Sequence, residues 1–208
     1  MRRFERKEVP EVLSKTIKGI PRWQRYGHIY TKNREKKRDK NKSFEFQWPQ
    51  IDGKKLNQLL LPDLMAMTDK HCSYCDGFPL KRGDDTIDHF HPKTHPAYYQ
   101  EVCKWENLYI ACKHCQDSKI NKYEPDLLRP DEAAFEFKKY FIYDYIQHRL
   151  LPNPQASAEE KVRAEVTIRV FNLNHSGMCI SRRHAFERFR KDEEPFLSDY
   201  NFRFMFDD

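Results

Sequence analysis

The chain contains 208 residues, of which 38% are hydrophobic and 34% are charged, and its formal net charge is +6 at pH 7. Its 15 Phe, 11 Tyr and 3 Trp residues can close a small core, because each packed aromatic buries about 150–250 Å², so disorder throughout is excluded. The longest apolar run, over residues 59–67, is interrupted by Pro62 and Asp63 and is far shorter than the roughly 20 residues of a membrane span. No secretion signal opens the chain, so we expect a cytoplasmic protein without a membrane partner.

The first quarter of the chain carries most of the positive charge. Residues 1–50 hold fifteen Lys or Arg against six Asp or Glu, which gives +9 and leaves −3 for the remainder. Aromatic and proline residues punctuate this segment without a clear period, so we predict a basic, irregular N-terminal arm over residues 1–53. A basic run within it either keeps a loop solvated or neutralises phosphates. Its members are Lys32, Arg34, Lys36, Lys37, Arg38, Lys40 and Lys42.

The next segment, residues 54–130, is predicted to form the core. Apolar residues recur every three or four positions over residues 54–68, which predicts a helix that Pro62 either kinks or divides in two. Residues 78–80 and 86–89, separated by a turn-rich stretch, predict a β-hairpin. Residues 105–121 predict a short helix, a cysteine pair and a further helix.

Two Cys-x-x-Cys pairs lie in this core, and their members are Cys72, Cys75, Cys112 and Cys115. Zn²⁺ favours four tetrahedral ligands, and two such pairs from separate segments can supply them while cross-linking a small core. Paired spacing without a secretion signal favours this structural zinc over disulfides. The alternative is that one or both pairs are buried free thiols. We expect Cys103 and Cys179 to be ordinary core residues.

The last segment, residues 131–208, is predicted to add a strand and two helices packed on the core. Partial alternation of apolar residues over 135–145 predicts the strand. Ser157 and Glu160 form a capping box at the start of the first helix. The second helix, over 177–191, is expected to place its arginines, including Arg182, toward solvent.

Chemistry-bearing residues lie between and just after the cysteine pairs. They occur as Asp88-His89-Phe90-His91-Pro92-Lys93, Trp105-Glu106-Asn107-Leu108 and Gln116-Asp117-Ser118-Lys119. This order resembles the HNH nuclease family with a zinc-bound ββα-metal centre. The resemblance implies an α+β fold: a zinc-stapled ββα-metal (HNH) core with helical and irregular N-terminal and C-terminal additions. It also implies metal-dependent hydrolysis of phosphodiester bonds in DNA or RNA.

The roles of these residues follow from the resemblance and from the chemistry of hydrolysis. Asp88 is a hard oxygen ligand suited to Mg²⁺ or Mn²⁺, and His89 is the general base that takes a proton from water. Asn107 would hold the active-site loop through hydrogen bonds. Gln116 stands where the family usually has His or Asn, so either Gln116 or Asp117 completes the metal site. If neither reaches the metal, the protein is an inactive zinc-stapled nucleic-acid-binding or adaptor module.

Positive charges near this centre are expected to contact phosphate. Lys93 and Lys119 flank the motif, and Lys36, Lys37 and Arg38 lie in the basic run. Each such contact neutralises one phosphate charge and makes binding salt-dependent.

Three short segments, two of them outside the core, indicate a particular branch of this family. Met1-Arg2-Arg3-Phe4-Glu5-Arg6, His89-Phe90-His91-Pro92-Lys93 and Phe171-Asn172-Leu173-Asn174 look like the PtuB branch of HNH proteins. That branch occurs in Septu and retron-linked bacterial anti-phage systems. The resemblance therefore implies a defence effector that works with a PtuA-like ABC ATPase.

Overall fold

The computed structural model describes residues 1–39, 44–78 and 86–206. Within these ranges the chain is a mixed α+β protein whose strands form four two-stranded antiparallel sheets. The α-helices are α1 (Glu11–Ser14), α2 (Arg22–Asp39), α3 (Leu56–Met67), α4 (Lys113–Lys119), α5 (Phe137–Tyr140), α6 (Ala158–Val170) and α7 (Ser176–Phe189). The strands are β1 (Thr16–Ile17), β2 (Ile20–Pro21), β3 (Gln50–Ile51), β4 (Lys54–Lys55), β5 (Thr86–His89), β6 (Leu108–Ala111), β7 (Phe141–Asp144) and β8 (Arg149–Pro152).

Helix α2 contradicts the irregular structure expected for the N-terminal arm. It runs for 18 residues, and its second half carries most of the basic run, so the loop interpretation was wrong for residues 32–38. Lys40 and Lys42 lie outside the described residues. Gly27 allows α2 to lie against the short 3-10 helix Pro96–Glu101, because a Cβ at this position would overlap the backbone carbonyl of Gln100. The buried residues of α2 are Gly27 and Tyr30, which are too few to give its sequence a clear apolar period.

Helix α3 confirms the helix predicted over residues 54–68. Pro62 lies inside it rather than dividing it in two. Leu56, Leu60 and Leu64 are buried at intervals of four, as one helical face requires. The first cysteine pair begins at Cys72, shortly after the end of α3.

Strand β5 pairs with β6. Residues 79–80 of the other strand predicted for the hairpin lie outside the described residues. The register places Asp88 opposite Tyr109 and His89 opposite Leu108. The region predicted as a short helix is therefore a single 3-10 turn, Trp105–Asn107, followed by β6. All four residues of β6 are buried, so it has no polar alternation that would mark a strand in the sequence. Helix α4 follows directly and completes a β-β-α unit.

The core consists of two clusters of apolar side chains that meet at β6. Tyr109 and Ala111 belong to one cluster, whereas Leu108 and Ile110 belong to the other. Successive residues of a strand point to opposite faces, so this one strand packs against both clusters. Such burial on both sides fixes the position of its partner β5, which ends in His89.

The C-terminal segment partly follows the prediction. Residues 135–145 contain the short helix α5 and only then strand β7, which pairs with β8. The capping box of α6 is confirmed, because Ser157 and Glu160 accept hydrogen bonds from each other's backbone N–H. Arg182 contradicts its expected exposure: it is 0% exposed in α7, and its guanidinium donates to the carbonyl oxygens of His148 and Leu173. Its carbonyl partners come from other segments, which the helical pattern does not reveal.

Asp76, which directly follows the first cysteine pair, is held by the C-terminal segment. Arg203 is 3% exposed and donates from Nη2 to Asp76 Oδ1 at 2.7 Å and from Nη1 to Asp69 Oδ2 at 2.8 Å. Its backbone N–H also donates to Asp76 Oδ2 at 2.6 Å. Loss of one partner from such a buried ion pair typically costs about 3–5 kcal/mol. The C-terminal segment therefore stabilises the turn that carries Cys72 and Cys75.

Candidate functional site

The four cysteines of the two pairs come together in space. The Sγ atoms of Cys72, Cys75, Cys112 and Cys115 all lie within 4.8 Å of one another, and those of Cys75 and Cys112 are 3.7 Å apart. A tetrahedral Zn²⁺ with Zn–S bonds of about 2.3 Å has S···S separations of about 3.8 Å. The cluster therefore fits a zinc ion, and no disulfide joins these cysteines, which are all free thiols.

The electrostatics of the cluster also fit a metal cation. Burial opposes ionisation of Cys72, but hydrogen bonds from Cys112, Cys115 and Cys75 outweigh it and hold the Cys72 pKa well below its usual value. The pKa of Cys115 is raised well above its usual value, first by its hydrogen bond to Cys112. Without a cation the cluster thus favours one thiolate at the expense of its neighbours. A bound Zn²⁺ would supply the positive charge that allows all four to be thiolates.

Two buried polar atoms near the cluster support this fit. The Ser73 Oγ, inside the first pair, and the Arg182 Nε have no hydrogen-bond partner in the described structure. Arg182 also interacts electrostatically with Cys75 and Cys115. A buried tetrathiolate zinc centre carries a net charge of −2, and a buried guanidinium would compensate part of it.

Asp88 lies near the end of β5, where it is 4% exposed. Its Oδ2 accepts a hydrogen bond from the Tyr74 hydroxyl at 2.8 Å and lies 3.1 Å from Lys119 Nζ. Burial raises the pKa of Asp88, and the charges and hydrogen bonds of Lys119 and Tyr74 oppose this shift. Asp88 is therefore a buried carboxylate whose charge is partly compensated from within the protein.

His89, the last residue of β5, is 4% exposed. Its Nε2 lies 2.9 Å from the carbonyl oxygen of Val102, and its ring stacks on Trp48 with the centroids 5.3 Å apart. Because a carbonyl oxygen only accepts, Nε2 carries the proton of the neutral imidazole and Nδ1 is left to accept one. Burial, with the nearby Lys93 charge, lowers the His89 pKa to about 3. The imidazole is thus neutral and oriented as a base.

Asn107 bridges the loop that follows β5 to the turn before β6. Its Oδ1 accepts from the His91 backbone N–H at 2.7 Å. Its Nδ2 donates to the carbonyl oxygens of His91 and Glu101 at 3.2 and 3.1 Å. These three hydrogen bonds suit the expected role of Asn107, which is to hold the active-site loop. They do not suit a role in the chemistry.

Lys119 does not occupy the position expected of a phosphate ligand. Its side chain is 0% exposed, and Nζ donates to the His89 carbonyl oxygen at 2.6 Å and to Asp88. The expectation that Lys119 contacts phosphate is corrected accordingly. A lysine at the end of α4 is turned inward because a buried carboxylate requires a buried cation.

Gln116 and Asp117 lie on α4 beside the Asp-His end of β5. Both line a cleft of about 340 Å³ together with Asp88, His89 and Lys93. Gln116 is half-buried, whereas the Asp117 carboxylate is exposed and lies 2.6 Å from Lys113 Nζ. The cleft collects hard oxygen donors of the kind that Mg²⁺ and Mn²⁺ bind.

The remaining basic residues of the predicted interface are divided between two surfaces. Lys93 lines the cleft, with Nζ 5.7 Å from the centre of the Phe46 ring, and burial lowers its pKa. Lys36, Lys37 and Arg38 are exposed in the last turn of α2. Exposed side chains at a helix end are available to phosphate.

Sequence reasoning missed the side chains that support the site from elsewhere in the chain. Trp48 and Phe46 contact the His89 ring, and Tyr74 donates to Asp88. Tyr74 lies between the two cysteines of the first pair, and this position is the sequence feature that could have identified it as a site residue. Nothing local to residues 46–48 indicates a contact with residue 89, which is distant in sequence.

The described residues define an α+β protein with a four-cysteine candidate metal centre beside a cleft that contains an aspartate and a histidine. None of its helices, in the part of the chain that the structure describes, combines the length and apolar character needed to cross a bilayer. No family model matches the chain. It is similar to Septu protein PtuB of Bacillus mycoides (strain KBAB4), with 32% identity over 73 residues, which cover 30% of this chain and 25% of that protein.

The buried, neutral His89 makes stability depend on pH. Without added divalent cation, we expect the free energy of unfolding to decrease as the pH falls below about 6.5, the His pKa in the unfolded chain. Between that value and the folded pKa of about 3, unfolded His89 binds a proton that the folded imidazole does not. This difference costs up to about 1.4 kcal/mol per pH unit.

Urea unfolding of the wild type and His89→Gln over about pH 7 to 5 measures this effect. Glutamine does not titrate, so the variant should lose less stability on acidification. Parallel dependence on pH in the two proteins would show that His89 takes up a proton equally in both states.

Proposed function

We propose that the protein is a metal-dependent HNH endonuclease that hydrolyses phosphodiester bonds in nucleic acid. The observation that carries this proposal is the shared cleft: Asp88, His89 and Gln116 line it, on a β-β-α unit next to the four-cysteine cluster. In this proposal residues 54–130 form the nuclease core. Residues 1–53 and 131–208 are additions to it.

The chain's own residues have separate tasks in hydrolysis. His89 Nδ1 takes a proton from the attacking water, while the Val102 carbonyl oxygen fixes the ring through Nε2. Asp88 and either Gln116 or Asp117 would hold a divalent cation, which would supply charge compensation at the phosphate and at the leaving oxygen. Lys93 would contact the substrate phosphate at the edge of the cleft.

The oxygen donors in the cleft fit a weakly held cation. Asp88 already shares its charge with Lys119 at 3.1 Å, and Gln116 contributes an uncharged amide. Mg²⁺ in nucleotide-processing sites is commonly held by one or two carboxylates together with substrate phosphates. We therefore infer that the cation binds together with the nucleic acid rather than before it.

A second candidate function is a zinc-stapled nucleic-acid-binding or adaptor module without cleavage. The Asp88–Lys119 ion pair favours it, because the ammonium occupies part of the carboxylate that a catalytic cation needs. Gln116 favours it as well, since its side chain is one methylene longer than that of the Asn found in the family. Both features weaken cation binding without affecting the zinc cluster.

We also propose a cytoplasmic anti-phage role with a PtuA-like ABC ATPase as partner. Its support is the similarity to Septu protein PtuB, which spans about a quarter of that protein, together with the motifs at the two ends of the chain. An ATPase encoded beside this protein and co-purifying with it would agree with the proposal. A neighbouring gene of another kind, or no association, would leave a free-standing nuclease.

The cleavage proposal is tested by incubating the protein with plasmid DNA and with structured RNA. Parallel reactions contain Mg²⁺, Mn²⁺ or EDTA, each with and without the partner ATPase. Cleavage that requires a divalent cation supports the nuclease, and the cleaved substrate identifies DNA or RNA. Absence of cleavage under all conditions, with binding retained, would support the binding module.

A further inference from the structure

A second cavity, of about 540 Å³, lies beside the His89 site. Its walls come from α2 and from the extended segment that precedes β3, and Val102 and Cys103 complete them. Four aromatic side chains line it: Tyr26, Tyr30, Phe44 and Phe46. Its volume lies within the roughly 300–1,000 Å³ of small-ligand sites.

Phe46 joins this aromatic pocket to the cleft. Its ring lies 5.5 Å from the His89 ring at an interplanar angle of 87°. On the same ring, Lys93 Nζ lies 5.7 Å from the centroid, and Lys93 lines the cleft itself. The Val102 carbonyl that orients His89 belongs to a residue of the pocket wall. A group bound in the pocket would therefore lie next to the proposed reaction centre.

The polar groups around the pocket suit a ligand with a hydrogen-bonding edge. The charged residues on its lining are Lys37 and Glu45, and Lys36 and Arg38 adjoin Lys37 in the last turn of α2. Asn33 and Gln47 are exposed amides on the lining. Amides both donate and accept hydrogen bonds, as the edges of nucleobases do.

We propose that the aromatic pocket binds an unstacked nucleobase from a single-stranded part of the substrate, next to the bond that is cut. This inference rests on the proposed function, because it takes nucleic acid as the substrate. Aromatic side chains bind exposed bases by stacking, with nearby cations on the backbone. A base inside a duplex is stacked on both faces and cannot enter unless it is flipped out. The substrate class is therefore single-stranded nucleic acid, or a duplex with unpaired nucleotides.

Binding is measured by fluorescence anisotropy without added divalent cation, so cleavage does not interfere. The probes are fluorescein-labelled oligothymidylate, oligouridylate and an abasic oligonucleotide of equal length. The wild type should bind the base-containing strands more tightly than the abasic strand. Tyr26→Ala should weaken binding of the base-containing strands by about 5- to 100-fold and leave abasic binding unchanged.

Phe196→Ala is the matched control, because Phe196 is a 74% exposed aromatic that does not line the pocket, and it should bind as the wild type does. If Tyr26→Ala does not fold, Gln47→Ala tests the same pocket from an exposed position and should weaken base-dependent binding in the same way. Equal wild-type binding of abasic and base-containing strands would overturn the inference. Equal losses on both kinds of strand in the pocket variants would do so too.

The cleavage assay separates this inference from the proposed function. Divalent-dependent cleavage together with unchanged binding in Tyr26→Ala would contradict base binding in the pocket and support the nuclease function. Base-dependent binding without any cleavage would keep the pocket and remove the nuclease.

Discussion

Replacement of His89 by alanine is expected to lower the rate of divalent-dependent cleavage by about 100- to 10,000-fold, the usual contribution of a general base. Two contacts hold the imidazole: its Nε2–H donates a hydrogen bond to the Val102 carbonyl oxygen at 2.9 Å, and Trp48 stacks on its ring. Burial lowers its pKa to about 3, so the imidazole is unprotonated throughout the neutral range. Single-turnover cleavage rates with saturating Mg²⁺ or Mn²⁺ measure the loss.

His91→Ala is the matched control for this prediction. His91 lies two residues further along the chain, and its Nδ1 is 2.5 Å from Glu101 Oε2 while its ring stacks on Tyr98. Its bonds to the neighbouring loop give it a structural environment, so we expect most of the cleavage rate to remain. Equal cleavage by the wild type and His89→Ala would remove His89 from the mechanism.

The four-cysteine cluster could be anticipated because its signal is local. Each Cys-x-x-Cys pair places two thiols on one turn, and zinc chemistry requires two such turns to meet. The capping box at Ser157 is local in the same way, since its hydrogen bonds join residues three apart. Features that depend on a few neighbouring residues are readable without a structure.

Contacts between distant segments determine two other features: the pairing of β5 with β6, and the position of α2. β6 is buried on both faces, so its sequence has no alternation. Helix α2 lies against the Pro96–Glu101 helix through Gly27, and its charged sequence gives no periodic signal. Tertiary contacts decide such elements, and propensity alone does not.

Lys119 illustrates the same limit at the candidate site. In sequence it is a charged residue after a metal-binding turn, where a phosphate contact is a reasonable expectation. In the structure Asp88 is buried, and an unpaired buried carboxylate would be more costly than burying a lysine beside it. The Lys119 ammonium therefore lies inward, 3.1 Å from Asp88 Oδ2, where it would compete with a divalent cation for this carboxylate.

Cys112→Ser is expected to release zinc and to remove most of the folded protein. Structural zinc sites contribute apparent binding free energies of about 10–16 kcal/mol, as large as the whole stability of a typical domain, about 5–15 kcal/mol. Cys112 also directly precedes α4, which carries Cys115 and Gln116. Loss of the metal would therefore release the turn that carries Cys72 and Cys75 from the start of α4. Metal analysis of the purified protein and its thermal unfolding measure both effects.

Cys179→Ser provides the control with the same chemical change. Cys179 is a free cysteine on α7 and does not belong to the cluster of four sulfurs. Its variant should keep one zinc per chain, because all four ligands remain. An insoluble Cys112→Ser protein beside a soluble, zinc-loaded Cys179→Ser protein would place the loss of folding at the metal centre. Equal zinc content in the wild type and Cys112→Ser would exclude the four-cysteine site, because a thiolate ligand cannot be removed from a closed tetrahedral centre without weakening its hold on the ion.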